Sequence, residues 1–140
     1  MITNEFNANE WQEMKSRNIG KRIRSAFLHI DSRHPRLDTD KIFLKFDDET
    51  ELILWDGGQC CCEVRYITTD DSLETLEGAV LARIEIKQGP DKEELGDIHE
   101  IQFLEIGTDK GFVTFATHNQ HNGYYGGFSI YSEEVKNDKS

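Results

Sequence analysis

The residues best suited to binding chemistry lie in one glycine- and tyrosine-rich segment, HNQHNGYYGGFSIY at 118–131. Its Asn-Gly and Gly-Gly pairs allow positive φ angles and let a ligand approach the backbone closely. Tyr124 and Tyr125 offer flat ring faces on which a nucleobase can stack, and the amide of Asn122 can hydrogen-bond to an adenine edge. The segment is typical of a nucleotide pocket, and about equally of a glycine-rich hairpin with core aromatics.

Three adjacent cysteines, Cys60, Cys61 and Cys62, form the second candidate group. Thiolates together with His118 and His121 would be a zinc ligand set, but zinc sites usually space their cysteines by two to four residues. A Cys–His nucleophile would need a nearby histidine, and no local motif supplies one. The pattern favours small buried hydrophobic cysteines, so we predict no metal site, no cofactor and no catalytic residue.

The remaining pattern predicts an α+β fold with a mainly antiparallel β-sheet of about six or seven strands and two short helices. The runs KIFLKF and TELILW around a short polar turn predict a β-hairpin. QGPDKEELGD at 88–97 is expected to be a charged loop around Pro90, because proline interrupts a strand pattern. The helices are expected near 9–18 and 70–78. We expect one domain over 1–131 and a polar tail over 132–140.

Composition restricts the possible partners. With 16 Lys and Arg against 27 Asp and Glu, the net charge is −11, which disfavours general nucleic-acid binding.

No apolar run approaches the ~20 residues of a membrane-spanning helix, and the N-terminus does not have the pattern of a secretory signal. Adjacent cysteines do not form a disulfide framework, so a reducing cytoplasm is the expected location. An aromatic-rich sheet face predicts a homo-oligomer.

Two short motifs carry a family resemblance: CCE at 61–63, followed by VRYITTDD, and HNGYYGGFSI at 121–130. Together they resemble a family of small bacteriophage proteins related to the Thoeris anti-defence proteins, which sequester cyclic ADP-ribose signals. The resemblance implies an antiparallel sheet with helices, dimers or hexamers, and capture of the ligand without cleavage. It also implies a pocket at the positions matching Arg65, Phe112 and Asn122.

Three functions from different classes follow from these observations. The first is a binding protein of phage immune evasion that sequesters a cyclic nucleotide second messenger, with ligand-binding residues Arg65, Phe112, Asn122, Tyr124 and Tyr125. The second is an acidic protein-interaction module or DNA mimic that inhibits a host protein. The third is a small nucleotide hydrolase that uses a histidine among His99, His118 and His121 with a carboxylate.

Overall fold

The computed structural model describes residues 2–4, 8–31, 39–57, 64–122 and 126–136. Within these ranges the chain forms nine strands, one α-helix and one turn of 3-10 helix. The strands are β1 (Ile2–Asn4), β2 (Ile23–His29), β3 (Lys41–Phe46), β4 (Thr50–Asp56), β5 (Val64–Thr68), β6 (Leu81–Glu94), β7 (Asp97–Thr108), β8 (Gly111–His121) and β9 (Ile130–Lys136). The helix is α1 (Ala8–Asn18), and the 3-10 turn covers Leu73–Leu76.

The strands form two antiparallel sheets. Sheet A has five strands in the order β1-β9-β4-β3-β2, and sheet B has four in the order β5-β8-β7-β6. Neighbouring strands of sheet B are joined by short turns along the path β6-β7-β8, as antiparallel pairing permits. The expected antiparallel α+β class is confirmed in this coarse form.

One hydrophobic core lies between the sheets. On β3 the even-numbered side chains are buried and the odd-numbered ones are only half-buried, so each strand turns one face to the core. The core draws residues from both sheets and from α1, including Leu44, Leu54, Ile84, Ile106, Phe115 and Met14. The pairing of β3 with β4 confirms the predicted hairpin, because Ile42 lies opposite Leu54 and Leu44 opposite Leu52.

Several predicted elements are wrong in detail. The described residues contain nine strands, not six or seven, and the second predicted helix is only the four-residue 3-10 turn. The predicted loop 88–97 is the end of a long β6–β7 hairpin, in which Pro90 falls at a register shift between Gln88 and Asp91. Because β6 is an edge strand, a proline at a bulge there removes no essential ladder hydrogen bond.

The folded region also extends past the predicted domain boundary at residue 131. β9 pairs with β4 from Ile130 through Lys136, which places the first five residues of the predicted tail inside sheet A. Alternation explains this, since Ile130 and Ser132 are buried while Tyr131 between them and Glu133 after them are partly exposed. Among the described residues, no helix is long and apolar enough to span a membrane.

The β6–β7 turn holds a leucine in a costly conformation. Leu95 has a φ of 53° and Gly96 a φ of 87°, the two positive angles of a type I′ turn, and Leu95 is 99% exposed. Because the Leu95 side chain is exposed, it contributes no hydrophobic stabilisation. Its backbone still carries the energetic cost of the left-handed conformation. We therefore expect Leu95→Asn to raise the free energy of unfolding by about 1 kcal/mol, measured by urea titration.

Leu95→Ala is the matched control, because alanine removes the large apolar side chain but lacks the polar group through which asparagine tolerates positive φ. Equal stabilisation by both variants would show that exposure, and not backbone strain, sets the cost.

Candidate ligand site

A cavity of about 440 Å³ opens at the hairpin end of sheet B. It is formed where β6 turns into β7 and where β8 ends. Its walls mix charged, amide, imidazole and apolar side chains: Lys92, Glu94, Asp97, Ile98, His99, Gln120, His121 and Asn122. This volume suits a small organic ligand with several polar groups.

The strand register brings the cavity residues together. Lys92 on β6 lies opposite His99 on β7, and His99 lies opposite Gln120 on β8. Residues opposite each other in an antiparallel sheet place their side chains on the same face, about 5 Å apart. Three residues from distant parts of the sequence therefore form one row, and Asn122 follows directly beyond the end of β8.

A ring cluster continues from this row across the outer face of sheet B. The rings of Tyr66 and His118 stack with centroids 4.4 Å apart. His99 Nε2 lies 2.9 Å from His118 Nδ1, and His118 Nε2 lies 2.8 Å from the Thr68 hydroxyl. Gln120 donates a 2.7 Å hydrogen bond to the Tyr66 hydroxyl. The cluster thus connects the cavity row to β5 through hydrogen bonds and ring contacts.

Burial of its ring lowers the pKa of His118 below the usual histidine value, and the neighbouring His99 lowers it further. His118 is therefore neutral at pH 7. The cavity wall itself carries one basic group, Lys92, and two carboxylates, Glu94 and Asp97, which sum to a formal charge of −1.

A second polar network lies on the inner face of sheet B, between the two sheets. Glu100 Oε1 lies 2.8 Å from His121 Nε2 and accepts a 2.8 Å hydrogen bond from the Gly127 amide. Asn119, which is fully buried, donates to the Gly127 carbonyl at 3.3 Å. These contacts hold Gly127 close to Glu100, which pairs with His121 on the cavity wall.

Arg65 belongs to the same inner layer. Its guanidinium donates to Asp56 Oδ2 at 2.7 Å and to the Gly127 carbonyl at 2.9 Å. Both side chains of this ion pair are almost entirely buried, with exposures of 6% and 4%. Asp56 also accepts a hydrogen bond from the Ser129 amide at 3.0 Å. The contacts of Arg65 are those of a structural bridge between the sheets.

The predicted ligand residues are not all brought together. Asn122 lines the cavity, but Phe112 lies at the opposite end of β8, about 33 Å away for ten residues of extended chain. Phe112 is half exposed and lies under the guanidinium of Arg83, 5.6 Å from its ring centroid. Arg65 is not among the cavity residues. Tyr124 and Tyr125 lie outside the described residues, as do the cysteines at 60–62.

Sequence reasoning missed Lys92, His99 and Gln120 as members of one site. Lys92 lies in the segment that was predicted as a loop, and the shared row depends on which residues pair across the strands. The sequence pattern indicated the histidines only as zinc ligands, as partners of a cysteine nucleophile or as hydrolytic residues. Within the described ranges, no group of three or more His, Cys, Asp or Glu side chains is arranged to hold a metal ion.

The Arg65–Asp56 pair gives a direct test of whether Arg65 is structural. Arg65→Met leaves Asp56 buried without its cation, so we expect the free energy of unfolding to fall by about 3 kcal/mol or more in urea titration. Arg83→Met is the control, because Arg83 pairs with Glu105 but its side chain is 40% exposed, and the expected loss is about 1 kcal/mol or less. A stable Arg65→Met protein would contradict the structural role.

Comparison with known proteins adds a family and no function. No curated protein and no solved structure gives a significant match to the chain. The family DUF7448, described as a domain of unknown function, matches residues 16–131, which span most of both sheets. The chain therefore belongs to the DUF7448 family.

Proposed function

We propose that this protein binds a cyclic nucleotide second messenger, of the cyclic ADP-ribose type or a cyclic oligonucleotide, and holds it without cleaving it. One observation carries the proposal. Asn122, from the glycine- and tyrosine-rich segment, lies in the same cavity as Gln120 and His99. Two amides and an imidazole at the rim of one cavity are the groups that recognise the polar edge of a base.

The chemistry of the wall matches the parts of a nucleotide. Asn122 and Gln120 can each donate to and accept from a base edge. Lys92 supplies a cation for a phosphate, and the carboxylates of Glu94 and Asp97 can accept hydrogen bonds from ribose hydroxyls. A ligand with phosphate and several hydroxyl groups therefore meets a partner for each of its polar groups.

The histidine contacts support holding the ligand more than converting it. His99 and His118 face each other, and His121 faces Glu100, so these ring nitrogens are engaged with protein groups. General acid–base catalysis needs a ring nitrogen directed at the proton that it transfers. A protein that only binds its signal needs no such group, and sequestration is the activity that the resemblance to Thoeris anti-defence proteins implies. We extend the proposal to immune evasion in a bacterial host on that resemblance.

The decisive experiment separates binding from conversion. The purified protein is mixed with a panel of cyclic nucleotides, the unbound ligand is removed, and the complex is heated to release what was bound. Intact ligand in the supernatant is the expected result. A hydrolysed product would make the protein an enzyme, and the absence of any bound nucleotide would contradict the proposal.

A second candidate function rests on the β6–β7 turn. A fully exposed Leu95 flanked by Glu93, Glu94 and Asp97 is a chemical pattern that suits docking to a protein with an apolar pocket and a basic rim. The acidic protein-interaction reading is favoured if the nucleotide panel gives no binding.

Asn122 provides the sharpest test of the cavity. Asn122→Ala removes the amide from the wall, and we expect nucleotide affinity to fall by roughly tenfold to a hundredfold in calorimetric titration. The melting temperature should stay within a degree or so, because Asn122 is exposed and lies beyond the last residue of β8.

Phe112→Ser is the matched control for that experiment. It changes an exposed side chain at the far end of the same strand and should leave affinity unchanged. Weaker binding by Phe112→Ser, together with unchanged binding by Asn122→Ala, would move the site to the other end of β8.

We also propose that the protein forms a homo-oligomer through the outer face of sheet A. That face carries two stacked ring pairs, Phe27 with Phe43 at 4.5 Å and Trp55 with Tyr131 at 5.7 Å between centroids. Phe27 is 48% exposed, and contiguous aromatic surface of this kind favours association. Light scattering should give at least twice the 16.2 kDa mass of the chain.

Phe27→Asp should reduce that mass toward the single chain, because it places a charge in the exposed aromatic surface of sheet A. His29→Asp, a change on the same face at the end of β2, is the control for added negative charge. A wild-type particle of 16.2 kDa at micromolar concentration would contradict the homo-oligomer.

A further inference from the structure

We infer that anion binding in the cavity is linked to the uptake of one proton by the pair His99 and His118. The inference rests on the proposed ligand site and adds a regulation to it: the affinity for a phosphate-bearing ligand rises as the pH falls. It is carried by the geometry of the two imidazoles, by the charges that face them and by their direct connection to the cavity wall.

The geometry shows what the two rings share. The nitrogens His99 Nε2 and His118 Nδ1 are 2.9 Å apart, while the ring centroids are 5.1 Å apart. Most of the remaining separation is the two ring radii, so the nitrogens point nearly straight at each other. Two imidazole nitrogens bound to one tetrahedral zinc ion would be about 3.3 Å apart, from two bonds of about 2 Å, and would point at the metal and not at each other. The space between the rings therefore fits a proton and not a metal.

The facing geometry limits the number of protons that the two imidazoles can bind together. When both imidazoles are neutral, one N–H donates to the lone pair of the other ring. One further proton can bind at an outer nitrogen, and the N–H···N bond is retained and strengthened by the charge. A second further proton would place two N–H groups head to head, so the pair takes up one charge before it is forced apart. The two rings titrate as one unit.

The groups closest to the two imidazoles are mostly uncharged. On β5 the neighbours are Tyr66 and Thr68, and on β8 the neighbour is Gln120, all of which are neutral at pH 7. On β6 Lys92 lies opposite His99. The carboxylates Glu94 and Asp97 stand at the turn, and the pair of Glu100 with His121 lies on the other face of the sheet.

These charges make the cavity less favourable for an anion while the pair is neutral. Lys92, Glu94 and Asp97 sum to −1 while the pair is neutral, and one bound proton brings the wall to zero. By reciprocity, an anion that binds beside His99 must favour protonation of the pair. Affinity should therefore rise as the pH falls below the ordinary histidine range near 6.5. The maximum slope for one linked proton is about tenfold in affinity per pH unit.

The test uses inorganic pyrophosphate as the probe and needs no knowledge of the natural ligand. The imidazole C–H resonances of the histidines are followed by NMR between about pH 5 and pH 8, with and without saturating pyrophosphate. We expect the midpoint of the coupled pair to move to higher pH with pyrophosphate. Calorimetric titration at several pH values should show weaker binding as the pH rises.

Two variants separate linkage from general charge effects. His118→Asn keeps a polar side chain beside Thr68 and His99 but removes the shared-proton pair, so the pH dependence of pyrophosphate affinity should flatten. His99→Gln should do the same and serves as the second variant if His118→Asn does not fold. His29→Asn removes a histidine from the outer face of sheet A, away from the cavity, and should leave the pH dependence unchanged.

The outcomes are distinct from those of the nucleotide panel. A midpoint that pyrophosphate does not move, or a pH dependence that persists in both pair variants, overturns the inference even if a cyclic nucleotide binds. If pyrophosphate shifts the midpoint of the histidine pair but no cyclic nucleotide of the panel binds, the proton-linked anion site is supported and the proposed function is contradicted. Pyrophosphate that fails to bind at any of these pH values also overturns the inference.

Discussion

The ion pair between Asp56 and Arg65 joins the two sheets at the end of the core where the candidate site lies. Asp56 belongs to β4 of sheet A and Arg65 to β5 of sheet B, and both side chains are almost fully removed from water. Two buried charges are tolerated only when each is paired and hydrogen-bonded. The Gly127 carbonyl and the Ser129 amide complete that requirement, so the segment that enters β9 is held between the sheets.

The same contacts adjoin the cavity wall. Gly127 is tied to Arg65 and to Glu100, and Glu100 pairs with His121, which lines the cavity. Asn122 lies at the cavity because it directly follows β8, whose last residue pairs with Ile98 on β7. The buried ion pair is thus structural: it anchors the segment that enters β9 and is not part of the cavity wall.

The parts of the fold that could be predicted were those with strong local patterns. The β3–β4 hairpin followed from two β-rich apolar runs around a short polar turn, and the helix near 9–18 from its helical composition. The segment 88–97 could not be predicted as a strand, because Pro90 signals a loop unless the strand is known to be at an edge. Edge position is a property of the assembled sheet and not of the local sequence.

The site was predicted in the same partial way. Asn122 was found because Asn-Gly beside tyrosines is unusual, and it does line the cavity. Phe112 was grouped with it through a family resemblance, although ten residues along a strand separate the two side chains by the length of the sheet. Arg65 has the chemistry to bind a phosphate, but a buried partner, Asp56, engages its charge. His99 and Gln120 enter the site only through cross-strand register, which a single sequence does not reveal.

The most direct test of the central claim is the location of the bound ligand, measured by backbone amide NMR shifts on addition of cyclic ADP-ribose. We expect the shifts to concentrate at His99, Gln120 and Asn122, at the hairpin end of sheet B. The amides of Arg83 and Phe112, at the other end of the same sheet, should not move. Shifts centred on Phe112, or none on saturation with the ligand, would show that the cavity is not the binding site.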